Sequence, residues 1–212
     1  MIKKGCIIIP YRDRKEHLEI FLNKVNVGLD IIVVEQCDDK LFNRGKLLNI
    51  GFDLNKDLYD YFIFHDVDMI PFKNVDYSYC ENICHMATFV EQFKYKAPPH
   101  IYFGGVNLFP KEKFIKINGF GNNYWGWGQE DDNLYFRCQH LNLPVEIREI
   151  WYKSLNHKLN YIGDIYEKNL KVSKEFIENP KLIFKDGLNT LYYTLISVES
   201  KKNYKLIKIK NI

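Results

Sequence analysis

The 212-residue sequence predicts a single α/β domain built around a mixed central sheet. Two observations favour this fold class. The first half alternates short, apolar, β-branched runs with amphipathic segments, a pattern typical of parallel strands covered by helices. The second half adds less regular strand-like and helix-like segments, with no internal repeat and no low-complexity linker. The length also suits one domain, because a chain of this size buries most of its apolar surface in a single core.

Five elements of the first half form a predicted Rossmann-like βαβαβ unit. They are a strand at 6–10, a helix at 14–26, a strand at 30–35, a helix at 44–55 and a strand at 61–65. Units of this kind bind ligands beyond the carboxyl ends of their strands. Polar residues follow each of the three strands, so we expect a ligand, such as a nucleotide, at this edge of the sheet.

The second half is predicted to extend the sheet. Its predicted strands lie at 86–91, 101–108, 145–151, 189–198 and 204–209. Pro110 opens a short helix in the first-turn position that proline prefers, and a longer helix follows the glycine- and tryptophan-rich segment 118–132. Residues 156–179 are polar and irregular, which predicts a loop that can move. The lysines of the last strand predict an exposed edge strand.

Charge, hydropathy and cysteine content exclude several function classes. The net charge is only +3 and has no basic block, so we expect no nucleic-acid partner. The apolar runs are about four residues long, far below the roughly 20 needed for a membrane span. The sequence has five cysteines, an odd number, and it has neither an N-glycosylation sequon nor a signal-like N-terminus. These three features predict a cytoplasmic location.

A DxD motif, Asp66-Val67-Asp68, follows the third buried strand. Strand alternation would point both carboxylates to the same side and Val67 away from them. Carboxylate oxygens suit a hard divalent cation, which could bridge the protein and a diphosphate. The alternative is a pair of solvated acids at a strand end, but the position after a buried strand favours a metal site. His157, in a polar stretch, is a candidate imidazole ligand.

Three consecutive acids, Glu130, Asp131 and Asp132, begin the helix after the tryptophan-rich segment. Acids in a first turn also cap the helix, and one of the three is expected to do only that. The aromatic residues of segment 124–127 are expected to present ring faces to a sugar. Adjacent helix residues point about 100° apart, so two acids here do not readily flank one glycosidic bond as hydrolases require. A transferase with a single base fits better.

Six collinear segments resemble the β-1,4-galactosyltransferase family across nearly the whole chain. They are residues 7–14, 42–49, 64–68, 102–106, 119–132 and 186–189. The resemblance implies a GT-A-type fold and an inverting, Mn²⁺-dependent glycosyltransferase. The implied donor is UDP-galactose, and the implied acceptor is a GlcNAc- or xylose-type sugar, free, lipid-linked or protein-linked, that receives galactose in a β-1,4 linkage.

The resemblance also implies roles for individual residues. Donor and nucleotide contacts fall on Pro10, Tyr11, Arg12, Arg14, Phe42, Arg44, Asp66, Val67, Tyr102 and Trp127. Acceptor contacts fall on Gly128, Glu130 and Asp132. The metal ligands correspond to Asp68 and His157, and the catalytic base corresponds to Asp131. The domain, 1–212, then divides into a nucleotide-binding half, 1–75, and an acceptor and catalytic half, 76–212.

Two positions depart from the family pattern. Ser154 stands where some members have a methionine metal ligand, and Gln129 stands where glycine or arginine is usual. The third metal ligand and the acceptor therefore stay open. Two other function classes also remain: a carbohydrate- or UDP-binding module without turnover, and a metal-dependent nucleotidyltransferase, since a DxD site also suits two-metal chemistry.

Overall fold

A computed structural model of the chain describes residues 2–25, 28–73, 75–96, 102–156 and 163–212. The strands are β1 (Gly5–Tyr11), β2 (Asp30–Gln36), β3 (Tyr61–His65), β4 (Met69–Pro71), β5 (Ile83–His85), β6 (Phe89–Val90), β7 (Val106–Pro110), β8 (Val145–Ile147), β9 (Trp151–Ser154), β10 (Thr194–Ser200) and β11 (Lys205–Lys210). The helices are α1 (Lys15–Lys24), α2 (Arg44–Asp53), α3 (Lys111–Lys116), α4 (Glu130–His140) and α5 (Gly163–Glu178), with short 3-10 helices at Glu91–Phe93, Pro180–Lys185 and Leu188–Thr190.

Two sheets organise these strands. The large sheet has the order β10-β11-β2-β1-β3-β7-β5-β8, and the small sheet has the order β4-β9-β6. Strand β1 pairs in parallel with β2 and β3, whereas β7 pairs antiparallel with β3. The predicted βαβαβ unit and mixed sheet are therefore confirmed. The large sheet takes strands from both 1–75 and 76–212.

The core lies on both faces of the large sheet because the central strands are apolar on both faces. Along β1, Ile8 packs into one core cluster, and its neighbours Ile7 and Ile9 pack into the other. Helix α2 lies so close to the sheet that a Cβ added at Gly51 would come within 2.5 Å of Ile8 Cγ2. Within the described residues, no helix combines the length and the apolar content needed to cross a membrane.

Two sequence-based expectations about the second half are wrong. The predicted mobile loop at 156–179 is, in its described part, the helix α5. Its inward face carries Asn169, Ser173 and Phe176, with half-buried Ile165 and Val172 beside them, so an apolar helical period is present but interrupted by polar residues. The lysine-rich last strand, β11, is not an edge strand: it lies between β10 and β2, because Leu206, Ile207 and Ile209 are buried.

The other second-half bounds differ because the chain turns where continuous strands were predicted. The segment predicted as a strand at 86–91 contains β6 and the start of a 3-10 helix, with β5 lying just before it. The strand predicted from residue 101 begins only at Val106, since Gly105 has φ +77° and breaks the extended backbone. Strand β10 begins at Thr194, after a 3-10 helix that occupies the start of the predicted strand.

Candidate active site

The DxD segment forms a turn at the carboxyl end of β3. The backbone N–H of Met69 donates to the Asp66 carbonyl at 3.2 Å, and that of Asp66 donates to Gly105 at 3.0 Å. Leu155 N–H donates to the Asp68 carbonyl at 2.9 Å, which ties the turn to the end of β9. Val67 is buried in the core, while Asp66 and Asp68 are half-buried. The turn therefore keeps both carboxylates out of the core.

A buried hydrogen-bonded chain supports this turn from behind. His65 Nδ1 lies 2.9 Å from the Asp66 carbonyl oxygen, and Nε2 lies 2.8 Å from the Tyr77 hydroxyl. A carbonyl oxygen can only accept, so Nδ1 carries the proton and Nε2 accepts from Tyr77. The Tyr77 hydroxyl lies 3.3 Å from that of Tyr152. Burial lowers the pKa of His65 to about 4, which keeps the ring neutral and the turn fixed in this arrangement.

Arg44, the first residue of α2, connects two acidic segments. Its Nε donates to Asp66 Oδ1 at 2.6 Å, and its Nη1 lies 3.8 Å from Glu130 Oε1. The three side chains are only 12%, 26% and 16% exposed, respectively. Burial raises the pKa of Asp66 to about 6 and that of Glu130 to about 8, although the attraction of Arg44 opposes both shifts. The site thus holds more negative charge than its one arginine balances.

Asp131 is held between the start of α4 and the segment before β7. Its Oδ1 accepts from the Asp132 backbone N–H at 2.9 Å. Its Oδ2 lies so near Gly104 that an added Cβ there would come within 2.6 Å of it. Tyr102 flanks the same space, and burial together with the nearby Asp66 and Asp131 raises its pKa. Because Gly104 has no side chain, the Asp131 carboxylate has room to lie against the backbone at this position.

The third acid of the run, Asp132, points to solvent. It is exposed and accepts from Gln129 Nε2 at 3.0 Å. Gln129 precedes α4 with φ +76°, an uncommon left-handed conformation for a residue with a side chain. Asp131 and Glu130 therefore face the same acidic pocket, whereas Asp132 lies at its rim.

The tryptophan-rich segment presents one exposed ring. Trp127 is 47% exposed, and its ring centroid lies 5.7 Å from that of Tyr166 on α5. Tyr124 is 3% exposed, so the expectation of a sugar-facing ring is wrong for this residue, while Trp125 is half-buried and packs partly against the core. The glycines let the segment approach α5, since a Cβ at Gly128 would lie 3.0 Å from Tyr166.

Asn169 of α5, which was not predicted from the sequence, binds this segment through hydrogen bonds to its backbone. Its side chain accepts from Trp125 N–H at 3.3 Å and donates to the carbonyls of Trp125, Trp127 and Gly128 at 2.9, 3.2 and 3.0 Å. The residue is only 3% exposed. An asparagine at the inward position of a helix would have been the sequence signal, had the helix been recognised.

Five of the predicted donor and nucleotide residues lie at or just after the ends of β1 and β2. Arg12 Nη1 donates to the Lys40 carbonyl at 2.6 Å, and its guanidinium lies 5.5 Å from the centre of the Phe42 ring. The Phe42 carbonyl accepts from Gly126 N–H at 2.8 Å, which brings this edge beside the Trp127 segment. Pro10 and Tyr11 are buried in β1, and half-buried Arg14 precedes α1.

Only some of the side chains expected to bind a metal lie within the described residues. His157 lies outside the described residues, and within the described ranges no three His, Cys, Asp or Glu side chains form a complete ligand group. Asp68 offers carboxylate oxygens, and Ser154 lies across the β4–β9 pair from Met69. The raised pKa values of Asp66 and Glu130 show that the charges here are costly, and a divalent cation would offset that cost. The residues present therefore fit a hard cation.

Sequence-family comparisons cover most of the chain. A family model described as the N-terminal region of glycosyl transferase group 7 matches residues 1–81, and one described as the N-terminal domain of galactosyltransferase matches residues 84–158. Human β-1,4-galactosyltransferase 4 is 33% identical over 216 residues, and human β-1,4-galactosyltransferase 1 is 34% identical over 222 residues. These alignments cover 96% and 97% of this chain but span only 62% and 54% of the two relatives.

Solved structures share the fold. A mutant Drosophila β-1,4-galactosyltransferase 7 in complex with manganese, UDP-Gal and xylobiose has a TM-score of 0.77 at 24% identity, and covers 99% of this chain and 94% of that one. The catalytic domain of the same Drosophila enzyme with xylobiose has a TM-score of 0.73 at 26% identity, with the same coverage. The predicted GT-A-type fold is confirmed by this likeness.

Proposed function

Because the chain belongs to the β-1,4-galactosyltransferase family, we propose that it transfers galactose from UDP-galactose to a saccharide acceptor, with inversion at the anomeric carbon. The observation that carries the proposal is the position of Asp131. Its carboxylate lies against Gly104 in the acidic pocket that also contains Asp66 and Glu130. One base therefore faces the strand edge where a nucleotide diphosphate would lie.

In the proposed reaction, Asp131 accepts the proton of an acceptor hydroxyl as that oxygen attacks the anomeric carbon. The bond from this carbon to the UDP oxygen breaks in the same displacement, which inverts the configuration. When bound, Mn²⁺ on Asp68 and His157 supplies positive charge that stabilises the departing UDP. Asp131 is fixed before substrate arrives, because Oδ1 already accepts from the Asp132 backbone.

The remaining predicted residues bind and orient the substrates in this proposal. On the donor side these are Pro10, Tyr11, Arg12, Arg14, Phe42, Arg44, Asp66, Val67, Tyr102 and Trp127. On the acceptor side they are Gly128, Glu130 and Asp132. The acceptor is a GlcNAc- or xylose-type sugar that receives galactose at O4. The xylobiose bound to the Drosophila enzyme and the likeness to the human enzymes support this class.

Helix α5 and the Trp127 segment serve to exclude water in the proposed reaction. The exposed indole offers a flat apolar face to a sugar ring, and Tyr166 and Asn169 hold the segment from the other side. Exclusion of water favours transfer to a sugar over hydrolysis of the donor.

The cytoplasmic location stays a prediction. It rests on the sequence alone, on the odd number of cysteines and the lack of a glycosylation sequon.

A UDP-release assay tests the proposed function. UDP-Gal, UDP-GalNAc and UDP-Glc are each incubated with GlcNAc, xylose or glucose, with and without Mn²⁺. We expect acceptor-dependent UDP release, above any slow hydrolysis of the donor, only with UDP-Gal, Mn²⁺ and a GlcNAc or xylose acceptor, and a β-1,4 product by NMR. Metal-dependent UDP binding without release would favour the binding module. Release of a hexose 1-phosphate from the UDP-sugar, in place of UDP, would favour the nucleotidyltransferase.

The variant Asp131→Asn tests the base. It keeps the shape of the side chain and its hydrogen bond to the Asp132 N–H, but it removes the basic oxygen. We expect UDP binding to stay within about twofold and transfer to fall by 10²-fold or more. Asp57→Asn, on the exposed turn after α2, is the matched control. Transfer at the wild-type rate by Asp131→Asn would contradict the assignment.

A further inference from the structure

A second pocket, of about 870 Å³, lies beside the small sheet. Phe72, Tyr95 and Trp151 supply its aromatic wall, and its polar lining includes Lys73, Arg148 and Glu149; we call it the aromatic pocket. None of its lining residues belongs to the site assigned above. Its volume falls in the range of small-ligand sites, about 300–1,000 Å³.

The aromatic wall is exposed and preformed. Phe72 and Trp151 are 56% and 49% exposed. The Tyr95 ring lies 5.7 Å from Phe72 and 5.4 Å from Trp151, and Trp151 packs on Phe89 at 4.7 Å. Phe72 N–H donates to the Trp151 carbonyl at 3.0 Å, which holds together the backbones that carry these two exposed rings. Exposed aromatic surface of this kind suits the C–H faces of sugars.

The polar lining balances in charge. Lys73 and Arg148 are opposed by Asp76 and Glu149. Arg148 donates to the carbonyls of Asp76 and Ser78 at 2.7 and 3.0 Å, so its guanidinium is already engaged. A balanced polar lining around an apolar wall suits a neutral, hydroxyl-rich ligand better than a phosphorylated one.

Two connections link the aromatic pocket to the candidate active site. Phe72 is four residues after Asp68 along β4, which limits the distance between their Cα atoms to about 14 Å. On the other side, the ring of Tyr102, which flanks Asp131, lies 4.9 Å from Phe93, two residues before Tyr95. The pocket therefore lies near the proposed metal ligand along the chain, and a ring contact joins the segment before Tyr95 to the surroundings of the proposed base.

We propose that the aromatic pocket binds the second and third sugars of a neutral oligosaccharide acceptor whose first sugar receives the galactose. This inference rests on the proposed function. It predicts that the enzyme prefers oligosaccharides to the corresponding monosaccharides, and that stacking on Trp151 supplies most of the preference.

Acceptor-length kinetics test the inference. We compare kcat/KM for each trisaccharide with kcat/KM for its monosaccharide: chitotriose with GlcNAc, and xylotriose with xylose. This length ratio is measured in wild type, Trp151→Ala, Trp151→Phe and Phe184→Ala. In at least one series we expect a ratio of about ten in wild type and near one in Trp151→Ala, with Trp151→Phe retaining most of it because a stacking ring remains. Phe184, a similarly exposed aromatic outside the pocket, is the matched control and should leave the ratio unchanged.

A binding experiment distinguishes failure of this inference from failure of the proposed function. Saturation-transfer NMR of each trisaccharide is recorded on wild type and Trp151→Ala with no donor present, so it needs no turnover. Loss of the signal in Trp151→Ala would support the pocket even if no galactose is transferred. An unchanged length ratio together with an unchanged NMR signal in Trp151→Ala would overturn the pocket while leaving galactose transfer intact.

Discussion

Replacing Asn169 by alanine should loosen the Trp127 segment with little effect elsewhere. The two hydrogens on Nδ2 are shared among three carbonyls, and Oδ1 accepts one further N–H, so the change removes the equivalent of two to three hydrogen bonds. At about 1 kcal/mol net for each, the loss is about 2–3 kcal/mol. If this loss destabilises the closed form of the segment, the ratio of closed to open molecules falls by roughly 30- to 150-fold.

The assay compares transfer with hydrolysis. We expect kcat/KM for transfer to fall by about tenfold or more in Asn169→Ala, and the fraction of UDP-Gal lost to hydrolysis to rise, because water reaches the donor more often. Asn55→Ala is the matched control: Asn55 is equally buried and donates to Gly51 at 2.8 Å near the end of α2. It should lower the Tm without changing the ratio of hydrolysis to transfer.

The coupling of α5 to the segment would be refuted by either of two results. One is an Asn169→Ala enzyme with a lowered Tm but wild-type transfer and hydrolysis at a temperature where it is folded. The other is an equal change in the hydrolysis ratio in both variants, which would mark a general effect of lost stability.

Two further predictions concern the acidic pocket. Gly104→Ala should displace the Asp131 carboxylate and lower transfer by about tenfold or more, because the new Cβ would lie 2.6 Å from Asp131 Oδ2 and 2.8 Å from the Tyr102 ring. Gly163→Ala, where the Cβ meets open space, is its control, and unchanged transfer in Gly104→Ala would count against the assigned position. Glu130 has a folded pKa of about 8, above its ordinary value of 4.5, so the folded state retains a proton that the unfolded chain has lost, and metal-free stability should fall as the pH rises between these values. Asp66, with a pKa of about 6, adds to this slope only below about pH 6. Glu130→Gln should therefore flatten the slope between pH 6 and 8 and be more stable than wild type at pH 8, relative to pH 6, by about 1–3 kcal/mol in urea unfolding; an unchanged slope in this window would contradict the raised pKa.

The sequence predicted the first half of the fold well because its periodic patterns reflect burial directly. Strand β3 has the predicted bounds, 61–65, and β1, β2 and α2 differ by at most two residues at either end. These elements are apolar wherever they meet the core. Helix α5 escaped prediction because its buried face mixes polar and apolar residues. Asn169 and Ser173, whose partners are backbone carbonyls and the Tyr124 hydroxyl, interrupt an apolar stripe that includes Ile165, Val172 and Phe176. The helical period is present in the sequence, but its polar members favoured a loop interpretation.

At the candidate site, the sequence predicted which acids converge but not what holds them. The positions of Asp66 and Asp131 follow from a strand end and a helix start, which motif spacing captures. The contact of Asp131 with Gly104 and the ion pair of Arg44 with Asp66 depend on the antiparallel return of β7 and on the packing of α2. Such contacts join residues distant in the chain, and neither residue of a pair predicts the other.

The insertion of β11 beside β2 also affects how the protein is made. Asp38, just after β2, accepts a hydrogen bond from Ile212 N–H, and the two residues are 174 positions apart in the chain. A nascent chain that has not yet emerged beyond residue 205 leaves the β11 side of β2 unpaired, with apolar side chains beside it. Pairing over such long sequence separations slows folding, so the growing polypeptide passes through a period in which chaperone binding and aggregation compete for that edge.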